Sequence, residues 1–286
     1  MADNAPVSDL VSLLDVEQLD VDLYRGREAD TERPRVYGGQ VAAQALIAGV
    51  RTVDPAYVTH SLHSYFLLPG DTSVPIIYDV ERIRDGRSFA TRRVVARQHG
   101  RPIYYLTASF QRAEDGFEHQ DVMPADVPPP EQGLDLVDLM RKAGNKDSDQ
   151  LAKEWGALEA RHLGTSLRGL PADDSRPARA RMWIRINGRL SDDPVEHLAA
   201  FTYASDMSLL GATLSAHETN PSSVQMASLD HTIWFHRPFR ADEWWLYDQA
   251  SPSASNSRGL ALARVFTQDG LLVATVAQEG LIRQRS

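Results

Sequence analysis

Three residues in the second half of this 286-residue chain carry a carboxylate, a hydroxyl and an amide, and these groups together could catalyse hydrolysis. They belong to Asp206, Ser228 and Gln278. Such groups can orient a water molecule through hydrogen bonds, with the carboxylate accepting its proton and the other two fixing its position. The sequence therefore predicts a water-activating site at Asp206, Ser228 and Gln278.

The first half of the chain carries a related set at matching places. Gln40, Ser61 and Gln111 stand there, 166 or 167 residues before the second set. This near-constant offset predicts two copies of one domain. Only the second copy has the carboxylate, which favours that copy for the chemistry. Asp206 is also expected to begin a helix, where Asp is a favoured capping residue, so capping and catalysis both stay open for it.

The elements that must position these residues are a small-residue helix and a set of strands, present twice. Residues 40–50 are apolar on nearly every side, which is typical of a helix buried all round. Strand-length runs occur at 60–68, 75–83, 89–98 and 102–111, and in the second copy at 181–186, 226–236, 244–249, 260–267 and 271–278. Gln278 alternates with apolar residues and is expected on the buried face. This order predicts antiparallel strands curled around each helix.

Three segments are predicted along the chain: an N-terminal domain over residues 1–117, a linker over 118–176 and a C-terminal domain over 177–286. The linker contains several prolines and shows helical spacing at 134–142 and 150–163. We expect it to carry surface helices and to act as a connector rather than as a lid. A short amphipathic helix is also predicted near the start, at 7–14.

Composition and motifs argue against several functional classes. The chain has no cysteine, which excludes disulfides, thiolate zinc sites and a cysteine nucleophile. A net charge of −9 argues against nucleic-acid binding. No serine-hydrolase elbow or nucleotide-binding glycine loop occurs, and His231 and His236 should face opposite sides of a strand. We therefore predict no metal and no cofactor. The sequence shows neither a leader nor a membrane span, so a cytoplasmic protein is expected.

Several long motifs resemble the bacterial acyl-CoA thioesterase II (TesB-type) family. In the first copy they are Tyr37-Gly-Gly-Gln40, residues 60–71 (HSLHSYFLLPGD), residues 85–89 (DGRSF) and residues 108–111 (ASFQ). In the second copy they are Ser205-Asp206, residues 229–238 (LDHTIWFHRP), residues 267–270 (TQDG) and residues 277–280 (AQEG). The resemblance covers almost the whole chain.

The resemblance implies an α+β double hot-dog fold and hydrolysis of fatty acyl-CoA thioesters by direct attack of water. It places the water-positioning triad of the family on Asp206, Ser228 and Gln278. Ser228 stands where the bacterial type enzyme has Thr, so the hydroxyl is kept and the methyl that restricts its rotamer is lost. The helix expected to begin at Asp206 would also offer backbone N–H groups to the developing oxyanion.

The predicted partners are an acyl-CoA substrate and further copies of the chain. Arg258, Arg84 and Arg93 are the candidates for contacting the CoA phosphates. The exposed edges of a hot-dog sheet predict a homo-oligomer, either a dimer or a tetramer. Two alternatives stay open: an acyl-CoA hydratase of the same fold, which the distance of His217 from Asp206 in sequence disfavours, and a non-catalytic acyl-CoA-binding module.

Overall fold

The run of small residues after Tyr37 forms the predicted buried helix of the first repeat. This helix, α2, spans Gly38–Val50, and residues 39–49 are all buried. Alanine and glycine leave room for strands to approach a helix from several sides, and α2 packs against all six strands of its own repeat. The prediction for residues 40–50 is confirmed. The computed structural model describes residues 5–29, 31–144, 148–219 and 223–285 of the chain.

The first repeat consists of two helices and six strands within these described ranges. They are α1 (Ala5–Leu14), β1 (Val16–Asp20), β2 (Leu23–Gly26), α2, β3 (Tyr57–Phe66), β4 (Ile77–Asp85), β5 (Phe89–Gln98) and β6 (Arg101–Arg112). Each of the four strand-length runs predicted in this half forms a strand, with ends shifted by three residues at most.

The second repeat has one helix, a 3₁₀ segment and six strands among the described residues. They are β9 (Ala178–Ile186), α5 (Pro194–Ser205), the 3₁₀ segment Leu209–Leu214, β10 (Val224–Ser228), β11 (Asp230–Phe235), β12 (Trp245–Ser255), β13 (Arg258–Thr267) and β14 (Leu272–Gln284). The single strand predicted at 226–236 is interrupted at Leu229. Gln278 is fully buried on the inner face of β14, as predicted from its alternation with apolar residues.

The segment between the repeats is more sheet-like than the sequence predicts. It contains β7 (Leu134–Asp135), α3 (Leu136–Lys142), α4 (Ser148–Glu154) and β8 (Leu158–Thr165). The helix expected over 150–163 is therefore wrong beyond residue 154. β8 is a strand because its backbone pairs with β9, and this tertiary pairing outweighs the local helical spacing. Residues 145–147 of the predicted linker lie outside the described residues.

The segment that precedes β7, called the strap below, lies on the outer face of the strands of the second repeat. Met123 and Val127 pack there against a small apolar cluster that includes Trp183. The indole N–H of Trp183 donates to the carbonyl of Pro128 at 2.8 Å. This strap covers apolar surface that the helices, on the opposite face, do not reach.

The two repeats share one continuous antiparallel sheet. Its order is β1-β2-β4-β5-β6-β3-β11-β14-β13-β12-β9-β8-β7, with β10 pairing to β14. At the junction β3 pairs with β11, and Ser64 stands opposite His231, its counterpart 167 residues later. A residue that pairs with its own counterpart lies on the approximate twofold axis relating the repeats. The predicted α+β double hot-dog architecture is confirmed. In the described ranges, the helices are too short or too polar to cross a membrane.

Candidate active site

An irregular strand pairing positions Ser228. Ser228 stands opposite Gly280, whereas Thr232 stands opposite Ala277, so the β10–β11 side holds one extra residue. Such a bulge re-aims neighbouring side chains. The backbone N–H of Leu229, at the interruption, donates to the carbonyl of Glu279 at 2.9 Å. This bond holds the bulge against β14, beside Gln278.

The amide of Gln278 joins the three predicted groups. Its Nε2 donates to Asp206 Oδ1 at 2.6 Å and to Ser228 Oγ at 2.9 Å. Gln278 Oε1 is buried and has no hydrogen-bond partner among the described residues. A buried polar atom of this kind calls for a water molecule or a ligand group beside it. The structure thus brings Asp206, Ser228 and Gln278 together, with acceptor capacity left over.

Asp206 lies at the end of a helix, which corrects the expectation that it begins one. It is the C-cap residue of α5, and a turn separates it from the 3₁₀ segment that follows. The helix N-terminus beside it belongs to α2 of the first repeat. The backbone N–H of Gly39 acts on the Asp206 carboxylate and lowers its pKa, and a Cβ built on Gly38 would lie 2.7 Å from Asp206 Oδ2.

Asp206 therefore takes the place of the side-chain cap that α2 lacks. Tyr37, the N-cap residue of α2, makes no side-chain capping bond. A carboxylate at this place satisfies an N–H group of the first turn and interacts favourably with the helix dipole. The prediction that Asp206 caps its own helix is thus wrong, because the helix N-terminus beside it belongs to the other repeat.

Burial controls the charge of this site. It raises the pKa of Asp206 to about 6, while hydrogen bonds from Gln278, the Gly39 backbone and Ser228 act in the opposite direction. Burial and the charge of Asp206 together raise the pKa of Tyr247, whose hydroxyl donates to the carbonyl of Ser205 at 2.9 Å. A carboxylate with a pKa near 6 is mostly ionised at neutral pH and still basic enough to accept a proton.

The neighbouring Ser205 and His231 do not form a serine–histidine nucleophile. The Ser205 hydroxyl donates its proton to the carbonyl of Thr202 at 3.0 Å. The 2.8 Å contact between Ser205 Oγ and His231 Nε2 must then use the proton of the imidazole. Burial lowers the pKa of His231 to about 4, so the ring is neutral. His231 holds Ser205, the residue before Asp206, in place.

A cavity of about 380 Å³ opens next to the carboxylate. Asp206 and Ser228 form part of its lining. The other lining residues are mostly apolar or small: Leu136, Met140, Met207, Ser208, Leu210, Gly211, Met226 and Ala227. A larger cavity of about 620 Å³ lies beside α1 and includes Gln40. Of these two cavities, the smaller one includes the Asp206 carboxylate in its lining.

The matching residues of the first repeat do not assemble in the same way. Gln40 Nε2 donates to the carbonyl of Arg27 at 3.1 Å. None of the hydrogen bonds found in the described part of the chain joins Gln40, Ser61 and Gln111 to one another. The first repeat instead contributes Gly38 and Gly39 to the site. Sequence reasoning missed these two glycines, although they lie inside the Tyr37-Gly-Gly-Gln40 motif.

The three arginines predicted to contact the CoA phosphates lie at different distances from this site. Arg258 begins β13, is about half exposed and pairs with Glu279, the residue after Gln278, at 3.1 Å. Arg84 and Arg93 lie on β4 and β5, with β6, β3 and β11 between β5 and β14. At about 4.8 Å per strand step, β5 and β14 are roughly 19 Å apart. Contact of Arg258, Arg84 and Arg93 with the CoA phosphates stays a prediction.

The remaining polar clusters do not suggest a metal centre. In the described ranges, no group of three His, Asp or Glu side chains has an arrangement that could hold a metal ion. His231 is buried, whereas His236 lies just past β11 and contacts Thr275 Oγ1 at 2.8 Å.

Two family matches cover most of the chain. Residues 27–111 match the acyl-CoA thioesterase N-terminal domain, and residues 166–281 match acyl-CoA thioesterase. The boundary between the matches falls in the segment between the two repeats.

Two relatives that match over most of their length and one solved structure are also named as acyl-CoA thioesterases. The chain is 39% identical to acyl-CoA thioesterase 2 of Haemophilus influenzae, over 97% of this chain and 98% of that protein. It is also 39% identical to human acyl-coenzyme A thioesterase 8, over 96% of this chain and 88% of that protein. The crystal structure of an acyl-CoA thioesterase II TesB2 from Mycobacterium marinum superposes with a TM-score of 0.83 at 45% identity, covering 96% of this chain and 98% of that one.

Proposed function

The chain belongs to the acyl-CoA thioesterase II (TesB-type) family and is a thioester hydrolase acting on acyl-CoA; we propose that a water molecule held at Asp206 attacks the thioester directly. The main support is the amide of Gln278, which bonds Asp206 and Ser228 at 2.6 and 2.9 Å beside a cavity that both line. The chemistry needs one base, and Asp206 is the carboxylate of this cluster.

The reaction proceeds in two proton-balanced steps. The water oxygen bonds to the thioester carbon while one water proton passes to Asp206, which leaves a negative charge on the former carbonyl oxygen. That intermediate collapses and breaks the carbon–sulfur bond, and Asp206 returns the proton to the sulfur. The products are the fatty acid and CoA, and the carboxylate is regenerated.

The neighbouring groups hold the base and favour the developing charge. Gln278 holds the Asp206 carboxylate by a hydrogen bond and also bonds Ser228, so that the orientation of the carboxylate is set before the substrate arrives. The N-terminus of α2 directs backbone N–H groups toward the same region. We assign to it the oxyanion stabilisation that the sequence predicts for a helix beginning at Asp206.

Release of free CoA tests the activity against the two alternatives. The purified protein is incubated with palmitoyl-CoA and a thiol-reactive dye. A thioesterase gives a thiol signal, whereas a binding module gives none. A hydratase consumes an enoyl-CoA without releasing thiol. His217, the first histidine after Asp206, is exposed and lies outside the cavity lining, which does not favour the hydratase.

Isotope labelling tests the direct attack. With enzyme in excess over acyl-CoA, a single turnover is run in water enriched in oxygen-18. Direct attack places the label in the fatty acid. Attack by the Asp206 carboxylate itself would form an anhydride, and water opening it at the enzyme carbonyl would leave the label on Asp206. Label found on the protein and not on the product would contradict the proposed mechanism.

A cytoplasmic location and a homo-oligomer, either a dimer or a tetramer, stay predictions. In the described part of the chain the sheet ends in β1 on one side and β7 on the other, and such edges can pair with further strands. Light scattering of the purified protein measures the oligomer, and cell fractionation measures the compartment.

A further inference from the structure

The lining of the cavity beside Asp206 combines two kinds of residue. Asp206, Ser208 and Ser228 supply its polar side chains. The other lining residues are apolar or small and include three of the six methionines of the chain, namely Met140, Met207 and Met226. Methionine is flexible and polarizable, so it adapts to apolar ligands of different shape. The reacting end of a substrate fits the polar side chains, and an apolar tail fits the methionines.

The charges of the lining select which part of acyl-CoA enters. Asp206 is its single ionisable residue, and no Lys, Arg or His side chain is among the residues that line the cavity. The phosphates of CoA are anionic and would be repelled by a carboxylate with no cation nearby. The acyl chain carries no charge and gains from leaving water. The chemistry of this cavity therefore suits the acyl chain and not the nucleotide.

Helix α3, between the repeats, contributes to the apolar lining. Leu136 and Met140 are four residues apart and so lie on one face of α3, and both line the cavity. None of the residues of α3 is buried. The helix is held at its ends, by the Asp135 side-chain cap at 3.1 Å and by an ion pair between Arg141 and Asp149 at 2.9 Å. Its apolar face is thus available to a ligand.

Resting on the function proposed above, we propose that α3 forms one wall of the acyl-chain site and that Met140 helps set the length of chain accepted. The segment between the repeats then helps to select the substrate, in addition to connecting the two repeats. Gly211 lines the same cavity, and a Cβ built on it meets no atom within 4 Å. Gly211 is exposed at the edge of this cavity, so a larger side chain fits there without a clash.

Two substitutions that fill the cavity from different elements test this site. Met140→Trp adds bulk from α3, and Gly211→Val adds bulk from the 3₁₀ segment. We expect both to lower kcat/KM for palmitoyl-CoA at least about tenfold and to leave acetyl-CoA within about twofold, since only a long chain reaches the filled space. Met140→Ala should shift preference toward longer chains.

Met123→Ala is the matched control, because Met123 packs in the strap on the outer face of the sheet. It should leave the chain-length profile unchanged. An unchanged profile, or an equal loss at every length, in both filled variants would overturn the proposal while the function stands. Absence of CoA release by the unmodified protein at every length would contradict the function instead. Thermal melts check folding, and Gly211→Val carries the test if Met140→Trp is unstable.

Discussion

The two repeats share one architecture, and they differ where the second one loses its regularity. In the first repeat α2 and β3 are continuous through the positions of Gln40 and Ser61, although the pairing of β3 with β6 shifts register just before Ser61. In the second, α5 ends before Asp206 and a strand ends at Ser228. These two interruptions place Asp206 and Ser228 beside one cavity. The difference indicates that the site arises from breaks in the repeat, held by the regular copy beside it.

The sheets of the two repeats also differ in how closely they approach their central helical segments. In the second repeat a Cβ on Gly280 would lie 2.4 Å from Leu210, and one on Gly259 would lie 2.6 Å from Thr213. Arg92 occupies the counterpart of Gly259 in the first repeat, where it is buried and donates to Thr52 Oγ1 at 2.7 Å. Gly259 and Gly280 thus let the irregular 3₁₀ segment approach the sheet closely. In the first repeat, Arg92 instead bonds the residue that follows the C-cap of α2.

The largest expected difference between the repeats is in their response to loss of the acidic position. Asp206→Asn should lower kcat at least about 10³-fold, because the amide cannot accept the water proton. Gln40→Ala, the matched change in the first repeat, should leave kcat within about twofold and lower stability by about 1–2 kcal/mol through its lost hydrogen bond and packing. CoA release and thermal melts measure both. Similar kinetic losses in the two variants would contradict the functional asymmetry.

Asp206→Asn should not unfold the protein. Burial raises the pKa of Asp206 to about 6, so the ionised form costs folding free energy at pH 7. Asparagine carries no charge and so avoids that cost. Its amide N–H₂ is a donor, however, and interacts less favourably with the Gly39 N–H than a carboxylate oxygen does. We expect Tm to stay equal or to rise by a few degrees. A large fall in Tm would show that the kinetic loss reflects misfolding.

The second comparison uses the glutamines of the last strands. Gln278→Leu should lower kcat roughly 10²-fold, because Asp206 loses a hydrogen bond at 2.6 Å that orients it. It should also raise the pH at which activity is half-maximal, since that bond lowers the pKa of Asp206. Gln111→Leu should do neither. A pH–rate profile that stays fixed in Gln278→Leu would refute a direct action on the carboxylate.

A third change tests what the regular repeat supplies to the site. Gly38→Ala places a methyl group 2.7 Å from Asp206 Oδ2, closer than a carbon atom can approach without displacement. We expect kcat to fall on the order of 30-fold through the shifted carboxylate. Gly116→Ala is the control, because a Cβ built there meets no atom within 4 Å and Gly116 does not line the cavity. Equal activities of the two variants would mean that the α2 N-terminus does not contribute.

The smallest effect is the pH dependence of the unmodified enzyme. Activity should fall as the pH drops through about 6 and reach roughly a tenth of its plateau at pH 5, because Asp206 becomes protonated. The folding contribution of this group has the opposite sign: its raised pKa costs stability above pH 6, and the cost disappears as the pH falls toward the unfolded value near 4. Initial rates and melts across pH 4–8 measure both, and a flat rate profile would exclude Asp206 as the titrating base.

Local patterns in the sequence were sufficient for most elements. The alanine-rich run at 40–50 could only be a buried helix, and alternation in 89–98 gives β5 with both ends correct. The Asp193-Pro194 pair is a helix start signal that was missed, and the helix expected to begin at Asp206 begins at Pro194 instead. β8 had no such signal, because pairing with β9 decides its conformation.

The duplication, the two related folds and the three residues at which the second copy carries a carboxylate, a hydroxyl and an amide can be predicted from the amino-acid sequence. They follow from periodicity and spacing along one chain. The helix N-terminus that faces Asp206, the burial that raises its pKa and the position of α3 beside the cavity emerge from folding. Those features depend on contacts between residues more than 60 positions apart in sequence, such as Gly39 with Asp206, and no local pattern encodes them.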